Sequence, residues 1–62
     1  MKYYVIKVIY EKFTYYLDEF DNWQGLQNNG KIYTSYIEMN VKENKMKRFC
    51  KNNEEVKHIV VE

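Results

Sequence analysis

Alanine and proline are absent from this chain, cysteine occurs once and glycine twice. The lone Cys50 excludes an internal disulfide. One cysteine and one histidine also exclude a structural zinc site within a single chain. A free thiol suits a reducing compartment, so the expected location is the cytoplasm. There is no G-x-G-x-x-G and no Walker sequence. The apolar stretch of the N-terminus, MKYYVIKVIYEK, is far too short for a membrane span and carries no small-residue cleavage site. Neither a membrane anchor nor a signal peptide is expected.

Charge of one sign is also missing. Ten basic and nine acidic residues leave a net charge of +1. A nucleic-acid mimic would be strongly acidic, and a strong non-specific nucleic-acid binder clearly basic. The charges are unevenly placed, however. Asp18, Glu19 and Asp21 cluster in the first half. Lys42, Lys45, Lys47, Arg48 and Lys51 cluster in the second, interrupted only by Glu43. One acidic and one basic end are expected.

The 62 residues make one small domain, spanning 1–62. A chain of this length buries only about 60% of its unfolded surface. Its stability gains from a staple, a metal or a second subunit. Seven tyrosines, three phenylalanines and one tryptophan supply volume for a thin core, and tyrosines also suit binding surfaces.

Residues 2–10, KYYVIKVIY, read as a strand: β-branched and aromatic, without a breaker. Tyr4, Ile6, Val8 and Tyr10 form an entirely apolar face, the expected core side. Tyr3, Val5, Lys7 and Ile9 form the other. A strand apolar on both faces sits centrally or has its second face covered. A tight turn at Glu11-Lys12 leads to a second strand over 13–18. Residues 19–30, EFDNWQGLQNNG, are rich in turn formers, with Trp23 expected to tuck beneath the loop and plug one end of the core.

The stretch LQNNGKIYTSYIEM, 26–39, carries two competing signals. Asn29-Gly30 is a strong hairpin signal. As a strand, 31–41 would alternate well, and the whole chain would be an all-β five-stranded meander. Ser35 and Glu38 instead form the S-x-x-E of a helix start. Glu38–Lys42 and Glu43–Lys47 are acid-first i,i+4 pairs, and positive charge gathers where a helix would end. At 100° per residue Tyr36, Met39, Met46, Phe49 and Cys50 share a stripe. A helix over 35–51 is therefore expected, preceded by an extended piece from Lys31 to Thr34. A last strand over 55–61 follows, free to lie beside the first. The expected fold class is α+β: a small antiparallel sheet with one helix on one face, in the order ββαβ.

This layout of KYYVIKV, FTYYL, a tryptophan loop, KIYTS, a polar helix and HIVVE resembles small accessory proteins of phages and prophages in low-GC bacteria. The bias toward Lys, Asn, Tyr and Ile fits such genomes. The resemblance implies an inhibitor of bacterial defence, of which the anti-CRISPR proteins are one kind. The implied partner is a host defence protein such as a CRISPR effector nuclease.

Catalytic chemistry finds little to build on. Cys50 and His58 are the only thiol–imidazole pair, and Cys50 falls in the apolar stripe. Asp18, Glu19 and Asp21 lack the Asp/Asn–Gly–Glu spacing of a calcium loop and read as a solvated acidic turn. No enzyme activity, cofactor or metal is expected. Two binding modes remain. In the first, Ile37 and Val41 lie about 40° apart opposite the core stripe, near Arg48, and contact a protein. Lys45 and Arg48 would add charge there, or the acidic turn Asp18, Glu19 and Asp21 would meet a basic groove on the target. The plain alternative is that Ile37 and Val41 pack under the Trp23 loop. In the second mode the basic helix face and tyrosines bind nucleic acid. A homodimer through an open sheet edge, on the first or second strand, is also expected.

Overall fold

In the computed structural model, which describes Met1–Glu62, the run Lys2–Ile9 forms strand β1. A tight turn within the three-residue connection Tyr10–Lys12 returns it into β2, Phe13–Leu17, with Ile9 opposite Phe13. Tyr10 and Glu11 make that turn, both left-handed at φ 55° and 56°. The Lys12 N–H donates to the Ile9 carbonyl at 3.1 Å. This is the primed hairpin geometry, whose twist matches the strands. The turn lies one residue earlier than expected, because no glycine or asparagine marks it.

The loop that follows holds a short strand that its turn-rich composition hid. In β3, Trp23–Gln24, Trp23 stands opposite Leu17 of β2. Asn29-Gly30 makes no hairpin. Gln27–Asn29 form one 3-10 turn, and Gly30 leaves it extended at φ −79°. Glycine is required here for close approach: a Cβ would lie 2.8 Å from the Tyr16 Cβ. Tyr33 then exchanges two backbone hydrogen bonds with Tyr3, at 2.8 and 2.9 Å.

The helix is present, which excludes the all-β meander. Ser35 caps α1, Tyr36–Lys47, its Oγ accepting from the Glu38 N–H at a long 3.4 Å. Arg48, Phe49 and Cys50 continue as a tightening turn, so the helix stops short of residue 51. Strand β4, Glu54–Val61, lies antiparallel beside β1 along the full length of both, from Lys2 opposite Val61 to Ile9 opposite Glu54. The sheet order is β3-β2-β1-β4, with α1 entering between β3 and β4 in the chain. The fold is α+β.

The helix covers the face of β1 that the sequence disfavoured. Val5, Leu17 and Val56 from the sheet meet Tyr33 and Met39, with Tyr3, Trp23, Met46 and Cys50 packed around them. Both faces of β1 are apolar, so its own alternation could not decide. Its neighbours did: Tyr4, Ile6 and Val8 share their face with Thr14, Lys57 and Glu55, whereas Val5 and Lys7 share theirs with Val56 and Tyr15. Lys7 on the covered side reaches out over the Trp23 ring, its Nζ 4.9 Å from the centroid, and lies 3.9 Å from Glu54. Tyr4 and Ile6 are buried all the same, Tyr4 against the Tyr16 ring at 5.8 Å.

Candidate functional site

Helix α1 sets the exposed chemistry. Its sheet-facing row is Met39, Glu43, Met46 and Cys50, at i, i+4, i+7 and i+11. Met39 is fully buried and Glu43 nearly so. Tyr36 and Phe49, expected in this row, sit on its flanks, 50% and 67% exposed. Sequence reasoning passed over Glu43 because a carboxylate is rarely at home in a core. The signal was the spacing of Glu43 from Met39 and Met46.

Glu43 is held by two partners. Its Oε1 lies 2.6 Å from Nδ1 of His58 on β4, and its Oε2 lies 3.1 Å from Lys47 Nζ one turn on. An ionised carboxylate only accepts, so His58 presents Nδ1–H to it. The rings of Tyr3 and Tyr36 meet the His58 imidazole edge to face, with centroids at 6.3 and 5.9 Å. His58 is thereby committed to Glu43, and no hydrogen bond joins it to Cys50.

The acidic turn is spent on its own architecture. Asp18 Oδ1 accepts from the backbone N–H groups of Phe20 and Asn22, both at 2.8 Å. Its Oδ2 accepts from Gln24 Nε2 at 2.8 Å. The side chain is covered by its own loop rather than enclosed in the core. The Gln24 hydrogen bond first, and then the two backbone donors, hold its pKa below the ordinary 3.8. Asp21, left-handed at φ 63°, lies 2.8 Å from Lys42 Nζ and 3.8 Å from Lys45 Nζ. Lys42 lowers the Asp21 pKa, chiefly through that hydrogen bond, and Asp21 raises that of Lys42. Glu19 alone of the three is exposed and without an ion pair.

The expected acidic and basic ends are therefore one place, where the β2–β3 turn meets α1. Lys42 and Lys45 turn toward Asp21, and Lys47 toward Glu43. Arg48 and Lys51 remain of the five basic residues that a nucleic-acid surface would use.

Ile37 and Val41 do not pack under the Trp23 loop. They project from the outer face of α1, 75% and 64% exposed, one turn apart. Arg48 falls on the same line two turns further on. Lys45 stands at the border between this face and Asp21. The seven residues singled out in the sequence thus fall into two groups: Ile37, Val41 and Arg48 on the open helix face, and Asp18 with Asp21 in an internally bonded turn. Lys45 borders both, and Glu19 stays in solvent.

An open depression of about 570 Å³ lies at the end of the sheet, lined by Asp18, Glu19, Gln24, Gly30 and Lys31 among others. Gly25, Gly30 and Lys31 carry the G-x-x-x-x-G-K spacing of a phosphate loop, with Ile32 where a hydroxyl residue belongs. The N–H groups of Asn29, Gly30 and Lys31 are turned to the carbonyls of Leu26, Gln27 and Leu17. Two carboxylates line the same depression, so no anion cradle forms. No group of three or more His, Cys, Asp or Glu is placed to hold a metal ion, and no helix is long and apolar enough to cross a membrane. Comparison with protein-family models, curated proteins and solved structures finds no match.

Proposed function

We propose that this chain is a non-catalytic protein-binding module, an inhibitor that seats the outer face of α1 on a host defence protein. The observation that carries the reading is the exposure of Ile37 and Val41, at 75% and 64%, on the outer face of the helix. β-branched residues favour neither an isolated helix nor water, so their place there is unexplained by folding. A small apolar patch with a charged rim is the anatomy of a protein contact. Arg48, which has no carboxylate partner in the chain, supplies the rim, with Lys45 beside it. The acidic turn is the weaker contact because Asp18 and Asp21 are already bonded internally.

The likeness to small phage accessory proteins supports a defence protein as the target, with a CRISPR effector nuclease as the class to test first. The module would block a surface or lock a conformation of that effector. In a bacterial host with active CRISPR immunity, expression of the chain should restore plaque formation by a targeted phage. The I37D/V41D variant should fail to do so while keeping the wild-type circular dichroism spectrum. Equal plating with and without the wild-type chain would end the defence reading. Sub-micromolar binding to single-stranded DNA or RNA with a steep salt slope would replace it with nucleic-acid binding.

A further inference from the structure

The first strand is central and the second is joined to β3, so the open edge is not theirs: β4 closes one side of the sheet, and its outer edge has no neighbour. The opposite edge, β3, is two residues long. The direction of the β4 backbone groups follows from β1. Tyr3 exchanges both its backbone bonds with Tyr33 on the β2 side, while the Tyr10 N–H donates to Asn53 on the β4 side. Alternation then turns Tyr4, Ile6 and Val8 toward β4, and with them their partners Ile59, Lys57 and Glu55 toward β1. Val56, His58 and Val60 consequently direct N–H and C=O outward. The Glu54 carbonyl also points out, whereas its N–H is taken by Lys51. Edges of this length are usually blunted by a proline or a bulge. Here the register with β1 is unbroken and proline is absent.

We propose that this edge pairs antiparallel with the same edge of a second copy, about a two-fold axis at Val56. Charge selects both the partner and the register. Glu55 and Lys57 lie 3.4 Å apart on the sheet face away from α1 and stay 68% and 51% exposed, open to a second partner each. With Val56 opposite Val56, each Glu55 faces the Lys57 of the other copy. Moving the axis by one residue either way, a slip of two residues between the strands, sets Lys57 against Lys57 or Glu55 against Glu55. Moving it by two toward the C-terminus sets Glu54 against Glu62. Like charges directly opposite are destabilising, so the Val56 register stands out among these.

The backbone and the helices fit the same arrangement. Val56 exchanges two hydrogen bonds with its counterpart, and each His58 N–H reaches the other Glu54 carbonyl. Helix α1 packs on both β1 and β4, so a two-fold axis normal to the sheet puts both helices on one face of the joined sheet.

Sedimentation equilibrium of the full chain tests the interface. At high micromolar concentration the wild type should sediment at twice 7.7 kDa. The K57E variant sets Glu against Glu at both facing pairs, and E55K sets Lys against Lys. Each alone should dissociate at least roughly tenfold more readily. An equimolar mixture of the two should regain the dimer, because every Glu then faces a Lys. The double swap E55K/K57E should do so by itself. Circular dichroism shows whether each single variant folds, and the double swap decides if one does not. A wild type at 7.7 kDa, single variants as dimeric as the wild type, or a mixture and a double swap that both stay monomeric would each overturn the interface.

Discussion

Glu43 of α1 and His58 of β4 meet at 2.6 Å across the seam between helix and sheet. Fifteen residues separate them in the chain, and the carboxylate is 93% covered, its side chain 7% exposed. This contact places a charged residue where the helix would otherwise present a third apolar group to the core. It joins the helix to the edge strand by a directional bond and so orients the two.

Removal of the carboxylate should therefore be costly. Glu43→Ala should lower stability by about 1–3 kcal/mol, because a buried partner is lost and a small void opens. Glu43→Gln keeps an acceptor toward His58 and should cost less. The apolar pair E43M/H58V should recover part of the loss, because both hydrogen-bonding partners then leave the seam together. Urea unfolding of the four proteins measures this, and an unchanged midpoint for Glu43→Ala would show that the pair orients nothing.

Acid should weaken the fold through the β2–β3 turn. The pKa values of Asp18 and Asp21 lie below the ordinary 3.8 in the folded chain. The unfolded chain then binds protons first as pH falls. Their stabilisation is fully present above pH 3.8 and is lost as pH drops through the lowered folded values. Asp21→Asn should flatten the dependence of unfolding free energy on pH below about 4. A wild type and an Asp21→Asn variant with parallel acid profiles would contradict the assignment. At the alkaline end burial raises the Tyr33 pKa above 10.0, so its contribution holds below that value and is lost as pH rises through the folded one. Tyr33→Phe should reduce the alkaline slope, leaving the part due to Lys42, whose pKa is also raised in the fold.

The β1–β2 turn holds two non-glycine residues at positive φ, Tyr10 and Glu11. Each carries a steric cost of about 1–2 kcal/mol in that region. Replacement of Tyr10-Glu11 by Asn-Gly, the pair this turn prefers, should raise stability by about 1 kcal/mol or more. The thermal midpoint reads the change directly. A lower midpoint would mean that the Tyr10 side chain contributes more than its backbone strain removes.

Gly30 and Gly25 make a controlled pair. A Cβ on Gly30 would lie 2.8 Å from the Tyr16 Cβ and 3.1 Å from Tyr4 Cδ1, while one on Gly25 meets nothing within 4 Å. Gly30→Ala should cost about 1–3 kcal/mol as overpacking. Gly25→Ala should be neutral or slightly stabilising. Equal melting temperatures for the two variants would remove the close approach as the reason for glycine at position 30.

The residues of β1, β2 and β4, the Ser35 cap and the α+β class were legible because each rests on neighbours a few positions apart in the chain. For Ile37 and Val41, 100° per residue puts them opposite the core stripe once the helix is chosen, but it left open whether the Trp23 loop covers them. Other features depended on groups distant in sequence. The core side of β1 was decided by Val56 and Leu17 in adjacent strands, since β1 is apolar on both faces. Strand β3 exists because Trp23 finds Leu17, although its surroundings are all turn formers. Asp21 meets Lys42 across 21 residues, which merges two charge clusters that look separate along the chain. Glu43 could occupy the core row only because β4 returns His58 to it. Local periodicity determines what each segment can be. Which buried group finds a partner is settled by strand order and register, because the penalty for an unpaired charge depends on what lies across the interface.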